Sequence, residues 1–535
     1  MNRNKFTCLH AAAVGVMLLV LWPACSMENK KNHRPDYIKI GTLHRVKSEN
    51  ILYDHTLDIY CMVSHPPLLT LKSSGEIEGL LAERFTVSAD FTRWTFFIKG
   101  NFFWSDGVPV TPGDVKFSLE YMGRHVPDRR WLEKTLAGIE VIPGNAVKLT
   151  FNKPYTRLDI EFTSLPIIPR HIWQKVDRPR FYSGPGKYVG YGPLIIEHID
   201  VNAGVILLKK NNYWKDKPPG IDGVEIHMFQ NPDVLSLALE KGDIDTYYKY
   251  ADTYPYSNIA RLAATGKFNF VKSKSTGLIF LGFNLGKEPA SNRYFRQAAA
   301  MAIDYKEILK LINSGYGAVP NRGFVPPGML FFKETPGLSQ DLTTARELLA
   351  KAGFKDSNTD GILENPGGEN LRVLLLSTPS YDRLGELIAE YLRRIGIDVE
   401  VKIVDPAAWI SRKEQYDYDI TVTRSTPWGM LMHAGWGTGY FDSRRTGEGV
   451  LHTVIDPTFL NLCDAVLATR NPDKLKILAH TLQQYYAENL PAAALIWPEE
   501  VTPYNQAFTG WYQEPIYGIF NVANFLNLRR VDEFK

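Results

Sequence analysis

The residues best suited to hold a small molecule lie in one stretch, Ser425-Thr-Pro-Trp428-Gly-Met430-Leu-Met432-His433-Ala-Gly-Trp436-Gly-Thr-Gly-Tyr440. Glycines let backbone approach a ligand closely, while Trp, Tyr and Met side chains offer broad, adaptable contact surface. Trp428, Met430, Met432, His433, Trp436 and Tyr440 are therefore candidate binding residues, weighed against an aromatic-lined turn within a core. His433 by itself could ligate a metal or satisfy a backbone carbonyl, and the second use is the commoner.

Oxygen donors at alternate positions also occur in Asp356-Ser-Asn358-Thr-Asp360-Gly361-Ile-Leu-Glu364, the pattern of the first half of a calcium loop. The second half fails, because the twelfth position is Gly367 and Glu369 comes two residues late. The segment is read as an Asp/Asn/Gly-rich turn leading into a strand, with no metal and no cofactor expected. Gly184-Pro-Gly186 and Gly190-Tyr-Gly192 are glycine-rich but lack the lysine and hydroxyl of a phosphate loop, and read as loop. Serine-nucleophile elbows, H-E-x-x-H pairs, kinase signatures and C-x-x-C spacings are absent from the sequence, and the 12 histidines follow no metal-ligand spacing. A glycosidase-like carboxylate pair is the one enzymatic alternative, and no spacing selects it. The chain is not expected to be an enzyme.

At 535 residues, with 44% hydrophobic and 22% charged content, the chain is long enough for two or more domains. Its net charge of +3 comes from 61 basic and 58 acidic residues spread along the sequence, which argues against a nucleic-acid partner. Arg3 and Lys5 precede an apolar run from Ala11 to Trp22 that ends in Pro23, Ala24 and Cys25, the layout of a signal peptide. The run falls short of the ~20 residues of a membrane-spanning helix. Leu21-Trp-Pro-Ala-Cys25 is similar to a bacterial lipobox, so the expectation is a signal peptide over 1–24, a lipidated Cys25 with a polar tether over 25–36, and a folded body from Tyr37. Cys61 and Cys463 then either pair in an oxidising compartment or sit as separate buried thiols.

These residues need a scaffold, and the hydrophobic pattern supplies one. Ile38 to Leu43, Trp94 to Ile98, Val147 to Phe151 and Ile195 to Leu208 read as strands. Asp114 to Tyr121 reads as a helix opening after Thr111-Pro112, and Asp233 to Lys241 as a helix with Leu235, Leu237 and Leu239 partly buried. A shift near residue 275 introduces the strand Leu278 to Asn284 and a helix-prone stretch from Asn292 to Ile312. Thr343 to Ala352 (closed by Gly353), Leu371 to Leu376, Tyr381 to Ile395 (stopped by Gly396) and Val399 to Val404 then alternate helix and strand. That alternation predicts an α/β second half with a largely parallel sheet and crossover helices.

Asn101-Phe-Phe-Trp104-Ser-Asp106-Gly107-Val-Pro-Val-Thr111-Pro-Gly-Asp114-Val-Lys-Phe117-Ser resembles the signature of family 5 extracellular solute-binding proteins. Gly190-Tyr-Gly192-Pro193, Asn211-Asn-Tyr213-Trp214, Gly242-Asp243-Ile-Asp245, Leu281-Gly-Phe-Asn284 and Phe295-Arg296-Gln297-Ala298-Ala-Ala-Met-Ala302-Ile303 follow in the family's order. The resemblance implies an α/β, two-lobed periplasmic-binding-protein fold (type II, large peptide-binder class) with hinge strands. Its discontinuous first lobe spans 37–274 plus 500–535, and its second lobe 275–499. It further implies a monomer, tethered to a membrane by lipid in the periplasm or at the cell surface, that closes on a solute and is read by ABC permease subunits in the inner membrane.

By the same resemblance, peptide binders place an aspartate shortly after the position of Trp428 to meet the ligand's amino group. Here Asp442 is the nearest acid. Nickel-chelate binders carry tryptophans that correspond to Trp131 and Trp428, whereas the arginine of their Leu-Pro-Arg-Pro segment is missing: Leu165-Pro166 is followed by Ile167, with Arg170 three residues on. A peptide is the leading ligand. A nickel or other metal chelate, or another small polar solute, is the alternative within the family, and a chemoreceptor-type role without transport is the alternative outside it. Arg129, Arg130, Arg424, Arg444 and Arg445 are candidates to answer anionic groups on the ligand, although solvated surface positions are their commoner use.

Overall fold

The computed structural model describes residues 36–53, 59–72, 76–156, 158–248, 253–274, 277–425, 438–444, 451, 453–511 and 522–531. Cys25 and its flanks therefore lie outside the described residues, as do Trp428, Met430, Met432, His433, Trp436 and Arg445.

Two architectures share one long strand. In the first, Tyr37–Thr42 pairs in parallel with Gly223–Met228 and Thr246–Tyr247. Val205–Lys210 then adds antiparallel to Gly223–Met228, and Leu194–Asp200 antiparallel to Val205–Lys210. The expected single run Ile195 to Leu208 is thus a hairpin, turned at Gly204 with φ +68°. A separate antiparallel sheet orders Ala82–Val87, Arg93–Ile98, Ala146–Phe151 and Leu136–Ile142. In Arg93–Ile98 the buried residues are Trp94, Phe96 and Ile98, as period-two alternation requires of a half-buried strand.

The second architecture is built on Leu278–Phe283, which lies antiparallel to both Ile420–Ser425 and the first half of Ala492–Asn505. Arg372–Ser377 pairs in parallel with Ile420–Ser425 and with Asp398–Ile403. The helix Asp382–Arg393 makes the crossover and buries Leu384, Ile388 and Leu392. This sheet is mixed rather than largely parallel: the βαβ signal is local to 372–403, while the antiparallel partners come from distant sequence.

Ala492–Asn505 joins the two. Its residues from Ala492 to Ile496 pair with Leu278–Phe283, and those from Glu499 to Asn505 pair antiparallel with Phe268–Lys274. Packed clusters that include Phe283, Leu375 and Ile388, and Phe280, Phe441 and Tyr486, lie on one side of this crossing. Clusters that include Ile38, Trp94 and Leu119, and Leu239 and Leu262, lie on the other.

Local signals explain the helix ends. Thr111 caps Pro112–His125, with the Asp114 carboxylate returning to the Thr111 N–H at 2.8 Å in a capping box. The stretch 292–312 is two helices, Arg293–Ala302 and Tyr305–Asn313, because Asp304 caps the second through its bonds to the Lys306 and Glu307 amides. In Pro232–Lys241, Leu235 and Leu239 are buried but Leu237 is 45% exposed. An i, i+2 residue points about 200° around a helix, so it cannot share their face. Cys61 and Cys463 are buried in different clusters and form no disulfide.

Candidate functional site

Where the crossing strand meets the second sheet, the fold leaves a cavity of about 660 Å³. Its floor is the start of Leu278–Phe283 and the end of Ile420–Ser425, held together where the Leu278 N–H donates to Ser425 Oγ at 3.0 Å. One wall is Thr378 and the segment Ser380 to Leu384, which leads from the carboxyl end of Arg372–Ser377 into the helix Asp382–Arg393. The opposite wall brings Thr253 and Tyr256 from the other side of the crossing, together with Pro498 and Glu500 of the crossing strand. Tyr256 is fixed by donating its hydroxyl to the Glu499 carbonyl at 2.8 Å and by stacking on Tyr316, with ring centroids 5.1 Å apart.

This position follows from topology. A crevice past the carboxyl ends of parallel strands, facing a helix start, is where α/β sheets present unsatisfied amides and side chains to a ligand. The helix Asp382–Arg393 begins after Tyr381, whose side chain does not cap it; the Asp382 carboxylate accepts the Arg383 N–H at 2.5 Å, and this first turn opens on the cavity. Arg383 and Arg424 add positive charge, and Asp382 and Glu500 negative charge, to the same lining. The arrangement suits recognition of a molecule bearing both a cation and an anion.

The sequence-derived candidates fall in several places. The 425–440 segment begins at Ser425, in the cavity floor, and its central aromatic and Met residues lie outside the described ones. Tyr440 is 4% exposed, with its ring edge-on to Phe280 at 6.4 Å, in the core behind the sheet. Asp442 is 2% exposed and forms a two-pronged pair with Arg444, Oδ1 to Nε at 3.0 Å and Oδ2 to Nη2 at 2.9 Å. Arg444 also holds Asp464 at 2.7 Å, and its two carboxylate partners hold its guanidinium well above its ordinary range. Asp442 thus answers a neighbouring arginine and is not among the residues lining this cavity.

Trp131 belongs to the other side of the molecule. It sits in the short helix Arg130–Thr135, half-buried, with its ring centroid 5.6 Å from that of Tyr155. Nearby, burial pushes the Glu161 carboxyl up, against the Arg129 guanidinium and the Tyr155 hydroxyl, which favour its charged form. Of the five arginines weighed as anion partners, Arg424 lines the cavity; Arg130 is exposed and Arg170, the sixth considered, is likewise exposed outside it.

Sequence reasoning missed Thr253, Tyr256, Thr378, Asp382, Arg383 and Glu500. The one local signal was Thr378-Pro-Ser-Tyr381 between strand and helix, a turn at a strand's carboxyl end. Asp382 and Arg383 follow it directly in the chain, whereas Thr253, Tyr256 and Glu500 are brought together by contacts across more than 240 residues, Tyr256 to Glu499 and Thr253 to Val501.

The profile of the bacterial extracellular solute-binding proteins, family 5 middle region, matches residues 76–446. Among curated relatives, the nickel-binding periplasmic protein of Escherichia coli is 24% identical over 386 residues, covering 70% of each chain. The glutathione-binding protein GsiB of Salmonella paratyphi A is 23% identical over 466 residues, covering 84% of this chain and 86% of that one. Among solved structures, the oligopeptide-binding protein AppA of Bacillus subtilis in complex with a nonapeptide superposes with a TM-score of 0.75 at 19% identity, over 93% of this chain and 100% of that one. NikZ of Campylobacter jejuni in complex with Ni(L-His) gives 0.75 at 20% identity over the same shares. The two-lobed, mixed α/β fold expected from the sequence motifs is the fold of these structures.

Proposed function

Because the chain belongs to the bacterial extracellular solute-binding proteins of family 5, we propose that it is the capture component of an ABC importer, that it takes a peptide into the cavity at the strand crossing, and that it hands this ligand to the membrane permease. The observation that carries the ligand class is the mixed charge of the lining: Arg383 and Arg424 line the same space as Asp382 and Glu500. A peptide offers an ammonium and a carboxylate at once, and each opposite-charge contact within a partly desolvated cavity favours binding. The amine anchor in this reading is Asp382 or Glu500, because both line the cavity and Asp442 does not.

The lobes are proposed as 37–274 with 500–535, and 275–499, with Ala492–Asn505 and the tandem strands Phe268–Lys274 and Leu278–Phe283 as the hinge. Ligand contacts to both walls favour the closed arrangement. Export, lipid attachment at Cys25, a monomeric state and the absence of enzymatic turnover belong to the same proposal. Among the described residues no helix is long and apolar enough to cross a membrane. The anchor in this reading is the lipid, and Cys25→Ser should move the protein from the membrane to the soluble fraction.

A metal chelate is the second reading, favoured by the nickel-binding relative and by two arginines in the lining, which would meet a chelator's carboxylates. Native mass spectrometry of protein purified without denaturation separates the two. A co-purifying peptide mixture supports the first, a metal-containing small molecule the second, and an empty protein whose melting temperature responds to neither class overturns both.

A further inference from the structure

The loop 356–364 connects the helix Leu342–Lys351 to the strand Arg372–Ser377, and tertiary structure changes what its sequence pattern can do. Its neck is closed by Lys355 and Glu364, which exchange backbone hydrogen bonds at 3.0 and 2.7 Å. Gly361, at φ +90°, makes the sharp turn that brings the chain back. One carboxylate oxygen from each of Asp356, Asp360 and Glu364 then lies within 4.8 Å of the other two.

Asp356 and Asp360 are exposed, but Glu364 is 5% exposed. Its Oε2 accepts the Ser357 N–H at 2.7 Å, while its Oε1 is buried with no hydrogen-bond partner among the described residues. Among those residues, too, no Lys, Arg or His forms an ion pair with any of the three carboxylates. A buried, half-satisfied carboxylate beside two further negative charges is unfavourable on every count unless something positive shares the space.

We propose that this loop binds one calcium ion, through Asp356, Asp360 and Glu364 with the Asn358 side-chain oxygen and the Ile362 carbonyl as further donors. All five are hard oxygen ligands, the class that calcium takes in sets of six to eight. Oxygens bound to one calcium stand at most about 5 Å apart, and the three carboxylate oxygens lie within that span of one another. The sequence pattern lacked a ligand at its twelfth position. The structure supplies a carboxylate at the ninth instead, turned inward by the Lys355–Glu364 pairing.

The ion would be structural. The loop enters Arg372–Ser377 at its amino end, whereas the cavity lies past its carboxyl end at Thr378, about 20 Å along the strand. Leu363 donates its N–H to the Gly396 carbonyl at 2.8 Å and packs its side chain on Gly396, so an ordered loop braces the end of the helix Asp382–Arg393.

The test is calorimetric and thermal titration of EDTA-stripped full-length protein with calcium chloride, then magnesium chloride. One equivalent of calcium should bind and raise the melting temperature by about 2–4 °C at saturation, with magnesium giving a smaller rise. Asp360→Asn, on the exposed side of the loop, should abolish the calcium response with an unchanged circular dichroism spectrum and unchanged solute binding. Glu364→Gln should abolish it as well. No heat and no shift with wild-type protein up to 10 mM calcium (about ten times the weakest extracellular sites), or an undiminished shift in both variants, would overturn the site without touching the transport reading.

Discussion

The guanidinium of Arg470 lies 5.0 Å from the ring centroid of Trp94 and reaches the Asp159 carboxylate at 3.4 Å, joining the turn between two helices of the second core to the buried face of the first. Beside it the Thr156 hydroxyl donates to the Leu467 carbonyl. These contacts bridge the two halves at a point remote in sequence from the crossing strands, as a clasp would.

Arg470→Ala removes both the cation–π contact and the ion pair, together about 1 kcal/mol at a partly exposed site. If closure is what the clasp stabilises, solute affinity should fall about fivefold and small-angle scattering should give a larger radius of gyration in the absence of ligand. Equal affinity and equal radius would show that the contact plays no part in closure.

Arg424→Ala and Glu500→Gln test the cavity. Each should weaken binding of the co-purified solute by about 10–100-fold, as loss of a charge-assisted contact does. Isothermal titration is the readout, and a wild-type affinity in both variants would remove the cavity from consideration.

His65 is enclosed, with the Val189 carbonyl at 3.0 Å from Nε2 and Ser64 Oγ at 2.8 Å from Nδ1, and burial lowers its pKa to about 4. Below its ordinary value of 6.5 the unfolded chain binds a proton that the folded protein refuses, so stability is lost as pH falls from 6.5 and the loss levels off near 4. The full loss is about 3 kcal/mol. Denaturant titrations at pH 7 and pH 4.5 should show it, and His65→Asn should flatten this part of the profile.

Gly192 has no room for a side chain, since an added Cβ would stand 1.9 Å from the Val63 carbonyl oxygen. The backbone cannot retreat, because the Tyr191 and Gly192 amides both donate to the Ser64 carbonyl at 3.0 Å. Gly192→Ala should cost about 2–4 kcal/mol in a denaturant midpoint measurement. An unchanged midpoint would mean that the 63–65 segment yields easily.

Much was legible in the sequence wherever the cause is local. The helix start after Thr111-Pro112, the stops at Gly353 and Gly396, and the alternation through Trp94, Phe96 and Ile98 depend on neighbours within a few residues, and each appears where the pattern put it. The ordered motifs from Asn101 to Ile303 pointed to the family because each is legible within a short run of sequence.

What escaped depends on partners far along the chain. Asp442 is the acid nearest Trp428 in sequence, and only the fold shows that Arg444 pairs with it and with Asp464; Glu500 enters the cavity wall because Ala492–Asn505 runs past both sheets. Glu364, one carboxylate in a polar turn by sequence, becomes a buried, half-satisfied one once Lys355 pairs with it. Sequence by itself determined the helices, the strands and the family, because backbone propensity, capping and side-chain periodicity act over a few residues. Tertiary structure decided which charges share a cavity and which are spent on one another, because burial and pairing are set by strands and loops that meet across hundreds of residues.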